Sequence, residues 1–136
     1  MKKSVIILSV LFALIYGCKQ NQEQQSVKEP KAEINFETIE YDFGNIDYES
    51  DGRCHFEFTN TSRNSLIINR VRSSCGCTRP EWPDEPIAPG ESGRIGISYN
   101  TAIVGTFRKS LTVYANTSDS PIKLYIKGNV KPKTTD

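Results

Sequence analysis

After residue 34 the apolar side chains recur mostly at every second position, the period of a β-strand that buries one face. Val71 is out of step with Ile68, which predicts a β-bulge near Asn69. The apolar sets are Ile34 and Phe36; Phe43 and Ile46; Cys54, Phe56 and Phe58; Leu66 and Ile68; Ile95, Ile97 and Tyr99; Phe107, Leu111, Val113 and Ala115; and Ile122, Leu124 and Ile126. The pattern predicts six to eight short strands and no helix.

Turn-forming residues separate these apolar sets. Asn60-Thr61-Ser62 and residues 116–121 have the composition of loops. Ala88-Pro89-Gly90-Glu91 predicts a type II turn, because proline fixes φ at the second position and glycine accepts positive φ at the third. Short strands separated by such turns predict an all-β fold, an antiparallel immunoglobulin-like β-sandwich of about seven strands.

The first residues have the pattern of a secretion signal. Lys2 and Lys3 precede a nearly uninterrupted apolar run over residues 5–16, which is too short to span a bilayer. The run ends in Ile15-Tyr16-Gly17-Cys18, which resembles the lipobox of bacterial lipoproteins. That resemblance implies cleavage before Cys18, a diacylglyceryl thioether on its sulfur, and acylation of the new amino terminus. The alternative is ordinary signal cleavage that leaves Cys18 as a spare thiol.

The predicted organisation is a signal peptide at 1–17, a lipidated cysteine and disordered linker at 18–33, one domain at 34–131, and a tail at 132–136. Two acyl chains would hold the protein stably on a lipid bilayer through Cys18. No acidic run follows Cys18, which favours a periplasm-facing anchor over surface display. We therefore expect a lipid-anchored protein of the bacterial cell envelope.

Charge excludes one class of partner. Of the 17 Lys and Arg residues, Lys2 and Lys3 lie in the signal peptide, so the rest of the chain carries 15 against 16 acidic residues. A nearly neutral chain lacks the excess of positive charge with which proteins neutralise phosphates along a nucleic acid. We expect no nucleic-acid partner.

Three cysteines follow the predicted linker, and their chemistry is left open by the sequence. Cys75 and Cys77, one residue apart, lie at the limit of disulfide reach in an extended strand, and the glycine between them allows a tighter turn. Cys54 belongs to an inward-facing set, so we expect a small buried hydrophobe, with a disulfide to Cys75 or Cys77 as the main alternative. The pair could also bind Cu(I), or Zn²⁺ with Cys54 and His55, or act as a redox dithiol. Against the larger metal site, Cys54 and His55 are adjacent on a strand and face opposite sides.

The residues after the cysteine pair form a candidate binding loop. Three prolines stiffen the segment over 79–86, and Trp82 on a stiff loop, with Arg79 beside it, has the character of a binding anchor. The alternative is that Trp82 covers one end of the core. Its place in this loop also excludes the Cys–Trp–Cys core of antibody domains.

Five motifs in order resemble a bacterial family. They are Tyr41-Asp42-Phe43-Gly44, Phe56-Glu57-Phe58-Thr59-Asn60-Thr61, Ser74-Cys75-Gly76-Cys77-Thr78, Ile87-Ala88-Pro89-Gly90-Glu91 and Gly105-Thr106-Phe107-Arg108-Lys109. Together they resemble the family called domain of unknown function 1573, similar to the Hydin-like and major-sperm-protein-like immunoglobulin folds. The resemblance implies that fold and a cell-envelope context, without an agreed activity.

Catalysis has little support in the sequence. There is one histidine, and the nucleophile-elbow, zinc-protease and phosphate-loop motifs are absent. We therefore expect a non-enzymatic binding or scaffolding module without a cofactor, whose partners are the bilayer and an unidentified envelope protein or peptide. The alternative is a protein that handles copper or zinc, or a thiol-redox protein, centred on Cys75 and Cys77.

Overall fold

The computed structural model describes residues 30–134, which form eight β-strands. The predicted signal peptide, Cys18, most of the predicted linker and the end of the tail lie outside these residues. The strands are β1 (Ile34–Phe36), β2 (Glu40–Ile46), β3 (Arg53–Asn60), β4 (Ile68–Ser73), β5 (Thr78–Glu81), β6 (Ser92–Tyr99), β7 (Gly105–Ala115) and β8 (Ile122–Val130). Within this range no helix has the length and apolar character needed to cross a membrane.

The strands form two four-stranded sheets in the orders β1-β3-β6-β5 and β2-β8-β7-β4. The core lies between them and is made by the alternating apolar positions. Phe56, Phe58, Leu111, Leu124 and Ile126 have no exposed surface. The predicted all-β, immunoglobulin-like sandwich is therefore confirmed, with eight strands in place of about seven.

Two local predictions are also confirmed. The register of β4 against β7 shifts between Ile68 and Arg70, which places a bulge at Asn69. Gly90 has a φ of 79°, and the backbone N–H of Glu91 donates a 3.1 Å hydrogen bond to the carbonyl of Ala88. That geometry is the predicted turn, with glycine at the position that requires positive φ.

Strand β2 differs from the prediction of a fully antiparallel fold. It pairs with β8 in parallel, with Tyr41 opposite Ile126 and Asp42 opposite Lys127. The alternation of apolar and polar residues is the same for a strand running in either direction, so the sequence pattern could not reveal this orientation. The Glu40 carboxylate accepts hydrogen bonds from Lys127 Nζ at 2.6 Å and Arg108 Nη2 at 2.9 Å, which ties β2 to its sheet.

The predicted loop over 79–86 is wrong in its first part. Arg79, Pro80 and Glu81 belong to the edge strand β5, which pairs with β6. Their sequence lacks apolar alternation, and a proline donates no backbone hydrogen bond, so the pattern gave no sign of a strand. A sheet edge is the place where a strand tolerates proline.

Ala32, assigned to the linker by the sequence, is fully buried and bridges to Thr117. Its backbone N–H donates a 3.0 Å hydrogen bond to the carbonyl of Asn116. The packed part of the chain therefore begins before Ile34, beside the loop between β7 and β8.

Asn60 organises this end of the sandwich. Its side chain is completely buried, and its amide nitrogen donates to the carbonyls of Asn64 at 2.8 Å and Ile87 at 2.9 Å. Its side-chain oxygen accepts hydrogen bonds from the backbone N–H and the hydroxyl of Ser62. One buried amide thus joins the β3–β4 loop to the segment that precedes β6.

We predict that Asn60→Ala lowers the free energy of unfolding by about 2–4 kcal/mol, because buried carbonyl and N–H groups lose their partners. Chemical denaturation measures the change. Asn45→Ala is the matched control, since Asn45 is exposed and its side chain makes one hydrogen bond, in which its Oδ1 accepts from Asn129. It should shift stability by no more than about 0.5 kcal/mol. Equal losses in the two variants would contradict the role assigned to Asn60.

Candidate functional site

Strand β7 separates two ends of the sandwich that differ in chemistry. Its eleven residues span roughly 33–36 Å at the rise of an extended strand. Val104 precedes the strand and Asn116 follows it, hydrogen-bonded to Ala32. We call the end with Ala32 and residues 116–121 the N-terminal end, and the end with Cys75-Gly76-Cys77 and residues 100–104 the distal end.

At the distal end, Cys75 and Cys77 are joined by a disulfide with their Cα atoms 5.2 Å apart. The Thr78 hydroxyl lies 3.6 Å from Cys75 Sγ and 3.8 Å from Cys77 Sγ, and Thr78 is buried. The carbonyl of Cys77 accepts a 2.9 Å hydrogen bond from the backbone N–H of Asn100. The pair therefore closes a small turn that is held against the loop between β6 and β7.

A cleft of about 260 Å³ lies beside this turn. It is lined by Gly76, Cys77, Arg79, Ser98, Tyr99 and Asn100. The lining contains one charged side chain, Arg79, which is exposed on β5. The lining therefore offers one cation and several polar groups to a ligand, and it includes no carboxylate or imidazole.

Cys54 stands apart from the disulfide. It is a free thiol on β3, 8% exposed, and burial raises its pKa to about 12. A thiol with this pKa is neutral at physiological pH and is a poor nucleophile and metal ligand. His55, the next residue, is exposed on the other face of the sheet. The structure does not bring Cys54 and His55 together.

A metal site is not supported by the arrangement of ligands. Nowhere in residues 30–134 do three or more His, Cys, Asp or Glu side chains converge in a way that could hold an ion. Cys75 and Cys77 are bonded to each other, and Cys54 pairs with neither. The copper, zinc and redox-dithiol alternatives have no structural support here.

Trp82 lies immediately after β5, and its side chain is half-buried against the hydrophobic core. This packing favours the interpretation of Trp82 as a cover over the core. Arg79, three residues earlier, points to solvent from a strand. The two residues therefore do not form one stiff binding loop.

The distal end also carries an exposed apolar pair that was not among the residues predicted from the sequence. Ile103 is 45% exposed and Val104 is 48% exposed, next to each other in the loop between β6 and β7. Two consecutive β-branched residues outside the alternating sets were the available signal. Such a pair is a candidate contact surface, because large apolar groups on a loop tip gain from being covered.

The architecture defines the protein as an immunoglobulin-like β-sandwich. Residues 34–130 match the family model described as protein of unknown function (DUF1573), and the chain belongs to this family. The predicted family is therefore confirmed. No curated protein sequence matches this chain.

Solved structures of low sequence identity share the fold. One is a protein of unknown function from Porphyromonas gingivalis, with a TM-score of 0.68 and 14% identity over 79% of this chain and 51% of that chain. This chain thus spans about half the length of that protein. Another is the ASH/PapD-like domain of human CEP192, with a TM-score of 0.60 and 9% identity over 82% and 94% of the two chains.

A third similar structure is the secreted serine protease VesC from Vibrio cholerae, with a TM-score of 0.52 and 12% identity. The match covers 76% of this chain but 24% of VesC. At these identities the likeness shows the fold alone and carries no activity to this chain.

We predict that Cys75→Ser/Cys77→Ser still folds and loses about 1–2 kcal/mol of unfolding free energy, because a loop of roughly three residues restricts the unfolded chain little. Urea denaturation with and without dithiothreitol measures this. The reductant should destabilise the wild type by the same amount and leave the double variant unchanged. Failure of the variant to fold would show that the disulfide holds the distal end together.

Proposed function

We propose that this protein is a lipid-anchored component of the bacterial cell envelope, facing the periplasm, whose immunoglobulin-like domain binds an envelope protein or peptide without catalysis. The observation that carries the proposal is the exposed Ile103–Val104 pair at the end of the sandwich opposite Ala32. An anchor on Cys18 would hold the N-terminal end and leave the distal end free.

The anchor fits the geometry of the domain. The chain enters the sandwich at Ala32, so residues 19–31 connect Cys18 to the N-terminal end. A polar linker of that length reaches roughly 20 Å from the membrane, at about 5–6 Å times the square root of the residue number. The distal end lies at the other end of β7 from this attachment point, so a partner could reach it while the anchor is in the membrane.

The distal end offers contacts suited to a protein or peptide. Ile103 and Val104 supply apolar area, and the neighbouring cleft supplies Arg79 and the polar backbone around Gly76. Interfaces gain most from apolar side chains that become fully covered, with polar groups at the rim. The partner expected here presents an apolar side chain to Ile103 and Val104.

We predict that cells labelled with a palmitate analogue incorporate the label in the wild type and lose it in Cys18→Ala, because the thioether requires that sulfur. Cys75→Ala/Cys77→Ala is the matched control, since it removes two cysteines and leaves Cys18; it should keep the label. In-gel fluorescence of the purified protein reads the result. Unchanged label in Cys18→Ala would exclude the anchor.

We predict that a photo-crosslinking amino acid at position 104 forms a discrete adduct with an envelope protein in living cells. The control position is Glu57, which is also exposed but lies on the outer face of the first sheet. Adducts resolved by mass should appear at 104 and not at 57. No adduct at 104, or the same adducts at both positions, would contradict binding by the distal end.

A further inference from the structure

The outer face of the second sheet is basic over three adjacent strands. Strands β4, β7 and β8 contain no Asp or Glu, and their outward-facing Lys and Arg residues are Arg70, Arg72, Arg108, Lys123 and Lys127. The residues that point outward follow from the register, in which Arg70 lies opposite Tyr114, Arg72 opposite Thr112, and Thr112 opposite Lys123. We call Arg70, Arg72, Tyr114, Lys123 and Tyr125 the basic face.

On this sheet, acidic side chains form ion pairs only with cations near the β2 edge. Arg108 and Lys127 bind Glu40 on β2, and Lys127 also lies 3.8 Å from Asp42. Strand β2 is the edge opposite β4 in the order β2-β8-β7-β4. Across residues 30–134, by contrast, Arg70, Arg72 and Lys123 take part in no ion pair.

Two tyrosines on the same outer face contact arginines. The Arg70 guanidinium is 5.0 Å from the centre of the Tyr114 ring, and the Arg108 guanidinium is 4.1 Å from the centre of the Tyr125 ring. Both tyrosines are half-buried, so each presents a ring and a hydroxyl at the surface. Tyrosine mixed with Lys and Arg is the composition of protein surfaces at the boundary between water and lipid.

The basic face lies largely at the N-terminal end of the sandwich. Tyr114 is one residue from the end of β7, Lys123 is the second residue of β8, and Arg70 is the third residue of β4. The loop between β7 and β8 also receives Ala32, through the hydrogen bond to Asn116. The unpaired cations therefore lie beside the point at which the chain enters the domain.

We infer that the basic face docks onto the anionic headgroups of the membrane that carries the anchor, an inference that rests on the proposed lipidation of Cys18. A linker reaching roughly 20 Å keeps this end of the domain at a high local concentration of headgroups. Each Lys or Arg near an anionic bilayer adds a modest, salt-sensitive attraction, so the three unpaired cations bind a bilayer weakly on their own and more firmly when the anchor already holds the domain nearby. This favours a lipid surface over a freely diffusing acidic polypeptide.

The test uses residues 18–136 with Cys18→Ser, which removes the acyl chains and retains the whole core, because every core residue lies between Ala32 and Val130. Co-sedimentation with vesicles of phosphatidylcholine, alone or with roughly one-third phosphatidylglycerol, measures the affinity. We expect binding to the anionic vesicles only, weakened by salt. Arg70→Gln/Arg72→Gln/Lys123→Gln should lower that affinity by at least about tenfold.

The matched control removes the same charge from the other sheet. Arg53→Gln/Arg79→Gln/Arg94→Gln replaces three exposed arginines on β3, β5 and β6. It should change vesicle affinity less than about twofold, since these side chains face away from the basic face. Equal loss in the two triple variants, or no binding of the parent chain to anionic vesicles, would overturn the inference.

Two further outcomes would identify a different ligand for the basic face or would separate membrane docking from the proposed lipidation of Cys18. If the parent chain bound polyglutamate in place of vesicles, the basic face would be a site for an acidic polypeptide, and lipid docking would be wrong. If palmitate labelling did not depend on Cys18 while vesicle binding still required Arg70, Arg72 and Lys123, the anchor would fail and the docking surface would stand.

Discussion

The fold depends on one steric constraint, the strict alternation of side chains between the interior and the outer faces of two closely packed sheets. Phe58 fills its interior position so completely that a Cβ on Gly93, opposite it on β6, would lie 2.6 Å from its ring. Gly128 leaves similar space for Phe107 and Phe43. Phe58 and Phe107 each need a glycine opposite them, so the pairing register of the strands is fixed. The register in turn determines which residues each sheet exposes to solvent.

This constraint explains which parts of the fold could be predicted from the sequence. The strands with alternating apolar residues were predictable, and so were the bulge at Asn69 and the turn at Gly90, because each has a local signature. Strand β5 was not, since its residues from Arg79 to Glu81 are held by pairing with β6 and carry no pattern of their own. The parallel direction of β2 is likewise a property of the assembled sheet.

The chemical role of the cysteines likewise depends on contacts that the sequence does not show. The spacing of Cys75 and Cys77 is compatible with a disulfide, a metal site or a redox dithiol, and it does not distinguish among them. Their surroundings supply what spacing lacks: a buried Thr78 hydroxyl beside both sulfurs and an Asn100 N–H on the Cys77 carbonyl. Cys54 was the more predictable residue, because its place in the inward set of β3 required burial, and burial sets its pKa.

Strand β7 links the core to both proposed surfaces. Leu111, Val113 and Ala115 face the core, and Thr112 and Tyr114 between them belong to the outer face. The strand runs from the Ile103–Val104 loop to the N-terminal end. If the basic face rests on headgroups near Ala32, the length of β7 still carries the distal loop away from that contact. Membrane docking and partner binding would then use different parts of one rigid strand. A domain that leaned on the bilayer in this way would present its distal end in a restricted set of orientations, which lowers the entropy lost when a partner binds.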